Sequence, residues 1–469
     1  MSVGALLESL IAIAQMSKSD FAHSVFLAPS ALSLILSGKR LPSLAEKKKF
    51  SGRAARALAA EIYGHNCHLK FSPIFPFLYE FVSLHELESF LYAAIEYALD
   101  TDLALANEQD PDYPEFGRVY IGDKTVLNML CILLSDHVQR DMAVDLEFYS
   151  SFLQIPDDYS GIFNRLLITR QNKGERNINF HLEVDTDELA SQLPYLGSDR
   201  FSKVLWLEDY ADCYFWQIAP QTDSHYLLLK DQLLILLERQ LDGTRSMSVI
   251  THKTYLYNYF KFLQQRGLTQ ITFNRVEILD TINEEAHLFD ILRTQPITSV
   301  YSFCPVGFWL TEDELGLIEP EPDVQQRLLE TFHTVLAQDA RIYSTIDSLN
   351  LTAKTGQIIV PLAGKLRLYQ EQRKNYMDRI KRSVLADSQR KFRLMNSDIS
   401  DLIIFNSPKY SIIFVIDHDF KREKYHILKS NLVEQVLEKM FEDQNLDSVT
   451  YSEEIWNSFL EMDLEVTEF

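Results

Sequence analysis

The sequence has few cysteines and no long apolar run. Its 469 residues include four cysteines, and none of them belongs to a CxxC pair: Cys67, Cys131, Cys213 and Cys304. Such sparse cysteine excludes a disulfide framework and is typical of a reducing compartment, so we expect the protein to be cytoplasmic. No stretch approaches the roughly 20 apolar residues that a membrane span requires, so we expect no transmembrane segment and no membrane partner.

The common signatures of catalysis are also missing. The sequence contains no GxGxxG, P-loop, GxSxG or HExxH motif. Two histidines and a cysteine lie within 65–68, but the second ligand pair of a structural zinc site is absent. Residues 181–185 and 417–419 place carboxylates beside histidine without a recognisable nucleophile, and we expect both in surface loops or turns. We therefore predict no enzyme activity, no catalytic or metal-binding residues and no cofactor. A catalytic site without a known motif stays a further possibility.

Positive charge is scarce and unevenly placed. The 45 Lys and Arg residues and 67 Asp and Glu residues give a formal net charge of −22, which taken evenly would repel nucleic acid. Residues 1–70 nevertheless hold nine basic and four acidic residues, a net charge of +5. Residues 71–469 hold 36 basic and 63 acidic residues, a net charge of −27. We call residues 1–70 the basic segment and the remainder the acidic body.

An apolar stripe marks the first helix of the basic segment. Leu6, Leu10, Ile13 and Ala14 recur at i, i+4, i+7 and i+8, which is the spacing of one helix face. A signal peptide would carry basic residues ahead of its apolar run, and none precedes Ala5–Met16. We therefore predict an amphipathic helix here.

Capping residues mark two further helices. Ser17 is a suitable N-cap, and Asp20 three positions later favours the same helix start. Pro29 is tolerated only in a first helical turn and predicts the start of a third helix, and Gly38 predicts its end as a C′ glycine. Helix, tight turn, helix and then a basic loop is the order of a helix-turn-helix.

The segment Met16–Ser43 resembles the Cro/C1-type (XRE-family) helix-turn-helix without a gap. Phe21–Ala22 occupy the place of the family's Leu-Ala pair, and Leu32 and Ile35 occupy its recognition-helix core positions. Ser37–Ser43 matches the family's Asn-Gly-Lys-Arg-x-Pro-Ser end. The resemblance covers about residues 1–65 and implies an all-α domain that binds double-stranded DNA.

Two features depart from the family pattern. Phe26 stands in the turn where the family has glycine, and a bulky residue with a left-handed backbone there costs on the order of 1 kcal/mol, so a rearranged turn is one expectation. The base-reading positions are filled by Ala28–Ala31 and Ser33, none of which is Arg, Asn, Gln or Lys. Those four residue types make the bidentate contacts that discriminate between bases. Affinity should therefore depend on phosphate contacts.

The resemblance and the positive charge together indicate the DNA-binding residues. The predicted residues lie in the second helix, in the third helix and in the basic stretch that follows: Ser17, Lys18, Pro29, Ser30, Ser33, Lys39, Arg40, Lys47, Lys48 and Lys49. These residues predict a transcription regulator, expected to be a homodimer that responds to a small-molecule or peptide effector. Two alternatives remain: a helix-turn-helix adaptor that contacts protein instead of DNA, and an ordinary helical bundle with a coincidental pattern.

The chain is too long for one small domain, and proline-containing breaks divide it. We predict a helix-turn-helix domain over 1–70, a helical linker or dimerisation region over 71–156, an α/β sensor or interaction domain over 157–320 and an α/β C-terminal domain over 321–469. The expected fold class is thus multidomain, with an all-α N-terminal domain, a helical linker and a mixed α/β (α+β) C-terminal body.

Coarse patterns in the acidic body predict its elements. Long helical patterns cover 77–103 and 125–148, and later helices are expected at 227–241, 253–266, 324–338, 365–385 and 430–443. Strands are expected at 177–184, 204–207, 213–218, 246–250, 271–273, 300–303, 357–360, 402–405 and 412–416. The aromatic runs at 213–216 and 255–262 are expected in the core, with an apolar ligand pocket as the alternative.

Overall fold

A computed structural model describes residues 2–106, 118–140, 144–151, 165–168, 176–184, 207, 211–218, 225–280, 291–292, 294–318, 322–386, 392–395, 397, 401–416, 423–429 and 434. The chain divides into two compact units. The first comprises Met1–Glu183, Lys203–Cys213 and Ile218–Leu268, and the second comprises Val184–Ser202, Tyr214–Gln217 and Thr269–Phe469.

The described residues contain twelve α-helices, seven in the first unit and five in the second. They are α1 (Val3–Ile13), α2 (Lys18–Ser24), α3 (Pro29–Leu36), α4 (Leu44–Gly64), α5 (Leu84–Ala106), α6 (Asp123–Arg140), α7 (Lys253–Gln264), α8 (Arg275–Asp280), α9 (Glu312–Leu315), α10 (Pro322–Ala337), α11 (Ile346–Thr355) and α12 (Gln370–Ala386). Short 3₁₀ turns follow α4 at Cys67–Phe71 and α9 at Gly316–Ile318.

The described strands, in chain order, are β1 (Phe77–Tyr79), β2 (Arg118–Ile121), β3 (Leu146–Ser150), β4 (Leu166–Ile168), β5 (Ile178–Val184), β6 (Asp212–Gln217), β7 (His225–Leu229), β8 (Leu233–Arg239), β9 (Arg245–Ile250), β10 (Thr269–Gln270), β11 (Thr272–Asn274), β12 (Ser299–Ser302), β13 (Arg341–Thr345), β14 (Gln357–Val360), β15 (Gly364–Arg367), β16 (Phe392–Met395), β17 (Leu402–Asn406), β18 (Ser411–Ile416) and β19 (Glu423–Leu428).

The first unit joins a helical region to a mixed sheet. Its sheet strands pair in the order β5-β3-β7-β8-β9-β2, in which β3 and β5 are parallel and the other neighbours are antiparallel. Helix α6 connects β2 to β3 and is buried from Val126 to Val138 without a break, so it is a core helix with no solvent face over that length. The helices α1–α5 precede this sheet in the chain.

The second unit is built on a seven-stranded mixed sheet in the order β11-β19-β18-β17-β12-β13-β16. Strands β12, β13 and β16 are parallel, and helical connections α10 and α12 join them, as parallel neighbours require. The remaining pairs are antiparallel. Buried residues of α10, Leu328 and Phe332 among them, share one core with Val300, Ile342 and Phe405 of the sheet.

The architecture confirms the prediction of a multidomain chain with mixed α and β structure. Predicted strands at 177–184, 246–250, 300–303, 357–360, 402–405 and 412–416 correspond to β5, β9, β12, β14, β17 and β18. Helices predicted at 253–266 and 324–338 correspond to α7 and α10. The predicted strand at 204–207 and the predicted helix at 430–443 lie outside the described residues except for Leu207 and Glu434. The four-part division of the chain stays a prediction.

The helix predicted over 227–241 is wrong. This stretch forms the hairpin β7–β8, and its turn at Lys230–Gln232 contains Asp231 with a left-handed backbone (φ +62°). Leu228, Leu229, Leu233 and Leu234 are fully buried, so the hairpin is covered on both faces. A strand buried on both faces has a continuous apolar run, and periodicity cannot distinguish that run from a buried helix.

Three other predicted helices are too long. Residues 77–79 form β1 ahead of α5, α6 ends at Arg140 before β3 begins, and residues 364–367 form β15 ahead of α12. Among the described residues no single helix is both long and apolar enough to cross a membrane. Helices α2 and α3 reach that length and composition only when they are counted together across a 104° bend.

The surface loop predicted around His181 and Glu183 is also wrong, because both residues lie in β5. The Glu183 carboxylate is 3% exposed and accepts hydrogen bonds from the Arg266 guanidinium, with N–O distances of 2.8 and 3.0 Å. The Tyr226 hydroxyl donates a third bond at 2.5 Å. This buried ion pair connects β5 and β7 to the end of α7. Asp185 and the 417–419 run lie outside the described residues.

The buried pair gives a stability prediction. Burial raises the pKa of Glu183, and the bonds from Tyr226 and Arg266 oppose that rise. A carboxyl group with a raised folded-state pKa stabilises the fold at low pH, and that contribution is lost as the pH rises through the folded pKa. Arg266→Met raises this pKa further and leaves an unpaired carboxylate. We expect the free energy of unfolding to fall by about 3 kcal/mol at about pH 8 and by less at about pH 5, measured by thermal unfolding.

Lys261→Met, which removes an exposed charge from α7, is the control and should change the free energy of unfolding little. Equal losses for Arg266→Met at both pH values would contradict the prediction.

Candidate nucleic-acid interface

The predicted caps of α2 and α3 are confirmed. The Ser17 hydroxyl accepts a hydrogen bond from the Asp20 backbone N–H at 3.0 Å and donates to the Asp20 carboxylate at 2.6 Å. Helix α3 begins at Pro29, whose missing N–H would have no partner in a first helical turn. Four residues, 25–28, separate α2 from α3, and the two helices are bent by 104°. This angle lies within the range of helix-turn-helix pairs.

The end of α3 is fixed by backbone hydrogen bonds. Gly38 has a left-handed backbone (φ +68°), and its N–H donates to the Ile35 carbonyl oxygen at 3.0 Å. The N–H groups of Lys39 and Arg40 both donate to the Leu34 carbonyl oxygen, at 3.0 and 3.2 Å. This is the Schellman arrangement that a C′ glycine permits. It places two basic side chains directly beyond α3, and both are exposed.

Helices α1 and α4 support the α2–α3 pair. Gly4 of α1 approaches the end of α3 so closely that a Cβ atom there would lie 2.2 Å from the Leu36 carbonyl oxygen. The inner faces of the pair are buried at Phe21, Leu32 and Ile35. The outer faces of both helices remain exposed, including Lys18 on α2 and Ser30 and Ser33 on α3.

Phe26 keeps the left-handed backbone of the turn, with φ +60°. The rearranged turn that was one expectation is therefore absent. The ring is 74% exposed, and the Arg53 guanidinium of α4 lies over it at 4.3 Å from the centroid. A left-handed backbone is strained for any residue with a bulky side chain. The cation–π contact and the exposure of the ring allow Phe26 to occupy this turn.

The ten predicted DNA-binding residues differ in their surroundings. Pro29, Ser30 and Ser33 are exposed on α3, but Ser17 uses its hydroxyl in the cap described above. The Lys18 ammonium pairs with Glu8 at 2.5 Å on the surface. Lys39, Arg40, Lys48 and Lys49 are exposed and have no ion-pair partner within the described part of the chain. These four residues form what we call the cationic rim.

Lys47 differs from its neighbours because its charge is already neutralised. Its ammonium lies 2.6 Å from Asp100 Oδ1 and 3.6 Å from Glu96 Oε1, and its side chain is only 13% exposed. Glu96 and Asp100 lie four residues apart on α5, which places both carboxylates on one helix face. Sequence reasoning missed this acidic pair, although its i, i+4 spacing is visible in the sequence.

The other candidate sites give no site in the described residues. His65 bonds to the Glu61 carbonyl oxygen at 3.0 Å, and no group of three or more His, Cys, Asp or Glu side chains is placed to bind a metal ion in the described ranges. The aromatic run at 255–262 was expected in the core, but α7 exposes Tyr255, Tyr257 and Phe262 and buries Leu256 and Leu263.

Substitutions at Phe26 test the strain in the turn. Phe26→Gly and Phe26→Ala both remove the ring and its contact with Arg53, so they differ only in how they tolerate a left-handed backbone. We expect Phe26→Gly to be more stable by about 1 kcal/mol in thermal unfolding. At Ser33, in right-handed helical backbone, the order should reverse, with Ala more stable than Gly by about 1 kcal/mol. Equal stability of the two Phe26 variants would contradict the strain.

Comparisons with known proteins give no family. No family model matches the chain, and no curated protein is detectably similar to it in sequence. One solved structure that is similar in part is TrmBL2, described as an archaeal chromatin protein that shows a novel mode of DNA binding. It is 10% identical, and the match covers 52% of this chain and 96% of that chain, with a TM-score of 0.20. A similarity this weak carries no argument about the fold or the function of this chain.

Proposed function

We propose that the protein is a cytoplasmic, Cro/C1-type transcription regulator that binds double-stranded DNA through its basic segment. The observation that carries the proposal is that the cationic rim follows, in the chain, a helix pair bent by 104°. Four exposed, unpaired cations beside such a pair suit a phosphate backbone, which is the largest source of protein–DNA affinity.

In the proposed complex α3 enters the major groove. Its exposed face offers Ser30 and Ser33, which can hydrogen bond to either base pair type, and the small, half-buried Ala31 lies next to Ser30 in the chain. None of these side chains makes a bidentate base contact. We therefore expect strong salt dependence and modest discrimination between sequences, with part of the specificity arising from DNA shape.

The acidic body determines which face of the protein can approach DNA. Its net charge of −27 repels phosphate, so the basic segment is the surface that DNA meets. We propose that the body mediates dimerisation and effector binding and that the protein is not an enzyme. A homodimer would contact two half-sites about 34 Å apart, one turn of the double helix.

A protein-interaction adaptor is the second candidate, and one observation favours it. Three large apolar side chains are exposed on α3, on the turn before it and at the start of α4: Phe26 at 74%, Leu34 at 41% and Leu44 at 75%. Large exposed apolar side chains are a feature of surfaces that contact another protein. A co-purified protein partner without retention on a DNA or heparin column would support this candidate.

The cationic rim provides the test of DNA binding. Sequencing the DNA that co-precipitates with the protein gives the site, and anisotropy titrations on that duplex at several salt concentrations give the affinity and its salt slope. Lys39→Ala/Arg40→Ala should weaken binding to every sequence and reduce the salt slope by about 0.9 for each phosphate that the variant no longer neutralises.

The matched control is Lys253→Ala/Lys261→Ala, which removes the same charge from exposed positions of α7. We expect its salt slope to equal that of the unmodified protein. An unchanged affinity for the Lys39/Arg40 variant would rule out the proposed contact surface. An equal loss of affinity in both double variants would mean that only net charge matters.

A further inference from the structure

A cavity of about 310 Å³ lies in the first unit, between α5, β2 and the start of α6. Its lining includes Tyr92, Tyr97 and Tyr120 and the charged groups of Glu96, Asp100 and Arg118. A cavity of this size with aromatic walls and a few polar groups is the usual form of a small-molecule site. None of the DNA-binding residues proposed above lines it.

The lining favours a cation over an anion. The lining includes two carboxylates and three tyrosines but only one guanidinium. The flat surface of an aromatic ring attracts positive charge. Arg118 hydrogen bonds to the Tyr120 hydroxyl, so its charge is already engaged on one side of the cavity. The Tyr97 hydroxyl donates to Asp136 at 2.7 Å, so this hydroxyl is already engaged outside the cavity lining. Tyr92 donates to Glu96 at 3.2 Å and holds that carboxylate in place.

The two carboxylates of the cavity are the ones that hold Lys47. Asp100 is bound by the Lys47 ammonium at 2.6 Å and Glu96 lies 3.6 Å from it, while both also line the cavity. Lys47 is thus a cation of the chain's own at the border of this cavity. Any second cation that enters must compete with it for the same oxygen atoms.

We propose that this cavity binds a small organic ammonium ion, stacked against the tyrosine rings and paired with Glu96 and Asp100, and that its binding releases Lys47. The second half of the proposal rests on the proposed DNA-binding function. A released Lys47 would lie one residue from Lys48 and add one cation to the cationic rim. Ligand binding would then raise DNA affinity, and by linkage DNA would raise the affinity for the ligand.

The first experiment tests the cavity without DNA. Isothermal titration of the full chain with benzylammonium chloride should give saturable binding, whereas the neutral isostere benzyl alcohol should bind at least about tenfold more weakly, because it lacks the charge that the carboxylates recognise. Glu96→Gln/Asp100→Asn should weaken benzylammonium binding by at least about tenfold.

Glu88→Gln is the matched control, because Glu88 is on the same helix, pairs with Arg56 at 3.3 Å and does not line the cavity. Its benzylammonium affinity should equal that of the unmodified protein. Benzylammonium binding no tighter than that of the alcohol, or an equal loss of affinity in the Glu88 variant, would overturn the cation site.

The second experiment tests the coupling to DNA. DNA titrations with and without saturating benzylammonium are compared at the same sodium chloride concentration. With benzylammonium, DNA affinity should rise about fivefold and the salt slope should steepen by about 0.9, as one additional neutralised phosphate requires. Lys47→Met removes the competing ammonium. This variant should bind benzylammonium more tightly than the unmodified protein and show no change in DNA affinity when the ligand is added.

The two experiments separate the two proposals. If no DNA binds under any condition, the calorimetric experiment still decides the cavity site. If DNA binds and benzylammonium does not, the cation site fails alone. An increase in DNA affinity that persists in Lys47→Met would overturn the release of Lys47.

Discussion

The packing of α4 against α5 determines where the proposed DNA-binding surface lies. Helix α4 buries small residues along one face, Ala54, Ala55 and Ala59, which allow a neighbouring helix to approach closely. Helix α5 buries Phe90, Leu91 and Ala94, among others. Two ion pairs align the helices in opposite directions, since the start of α4 pairs with the later half of α5 through Lys47 and its middle pairs with the start of α5 through Arg56. The Arg56 pair is exposed and contributes little, so the buried apolar faces supply most of the stability.

Much of the basic segment could be predicted because its signals are local. Ser17, Pro29 and Gly38 each act on the backbone within a few residues, so the positions of α2 and α3 follow from short stretches of sequence. The left-handed turn at Phe26 does not follow from such local signals, since the residue type opposes the conformation. The structure keeps the conformation and exposes the ring beneath Arg53, a contact between residues 27 positions apart. Local rules do not include such contacts.

The rest of the chain depends on partners that are distant in sequence. The 227–241 run forms a hairpin whose outer edges pair with β3 and β9 and whose Leu228 and Leu234 pack against α7. The sequence of the run alone does not contain that information. Glu183 lies in a stretch, 181–185, whose histidine and two carboxylates are typical of a surface turn. Arg266, 83 residues later, makes the burial of Glu183 in β5 possible. Lys47 belongs to a run of three lysines that resembles a solvated face. Its burial beside Glu96 and Asp100, which lie far along the chain, distinguishes it from Lys48 and Lys49.

The hydrogen bonds at the end of α3 have a consequence for the entropy of binding. A flexible loop that becomes ordered on DNA loses roughly 1–2 kcal/mol of backbone freedom for each residue, which subtracts from the affinity. The N–H groups of Lys39 and Arg40 are already bonded to the Leu34 carbonyl oxygen, so their backbones have little freedom left to lose. In the proposed complex, only their side chains would become ordered on meeting a phosphate. If DNA binds as proposed, this short loop with two cations would contribute more to affinity than the same two residues in a mobile tail.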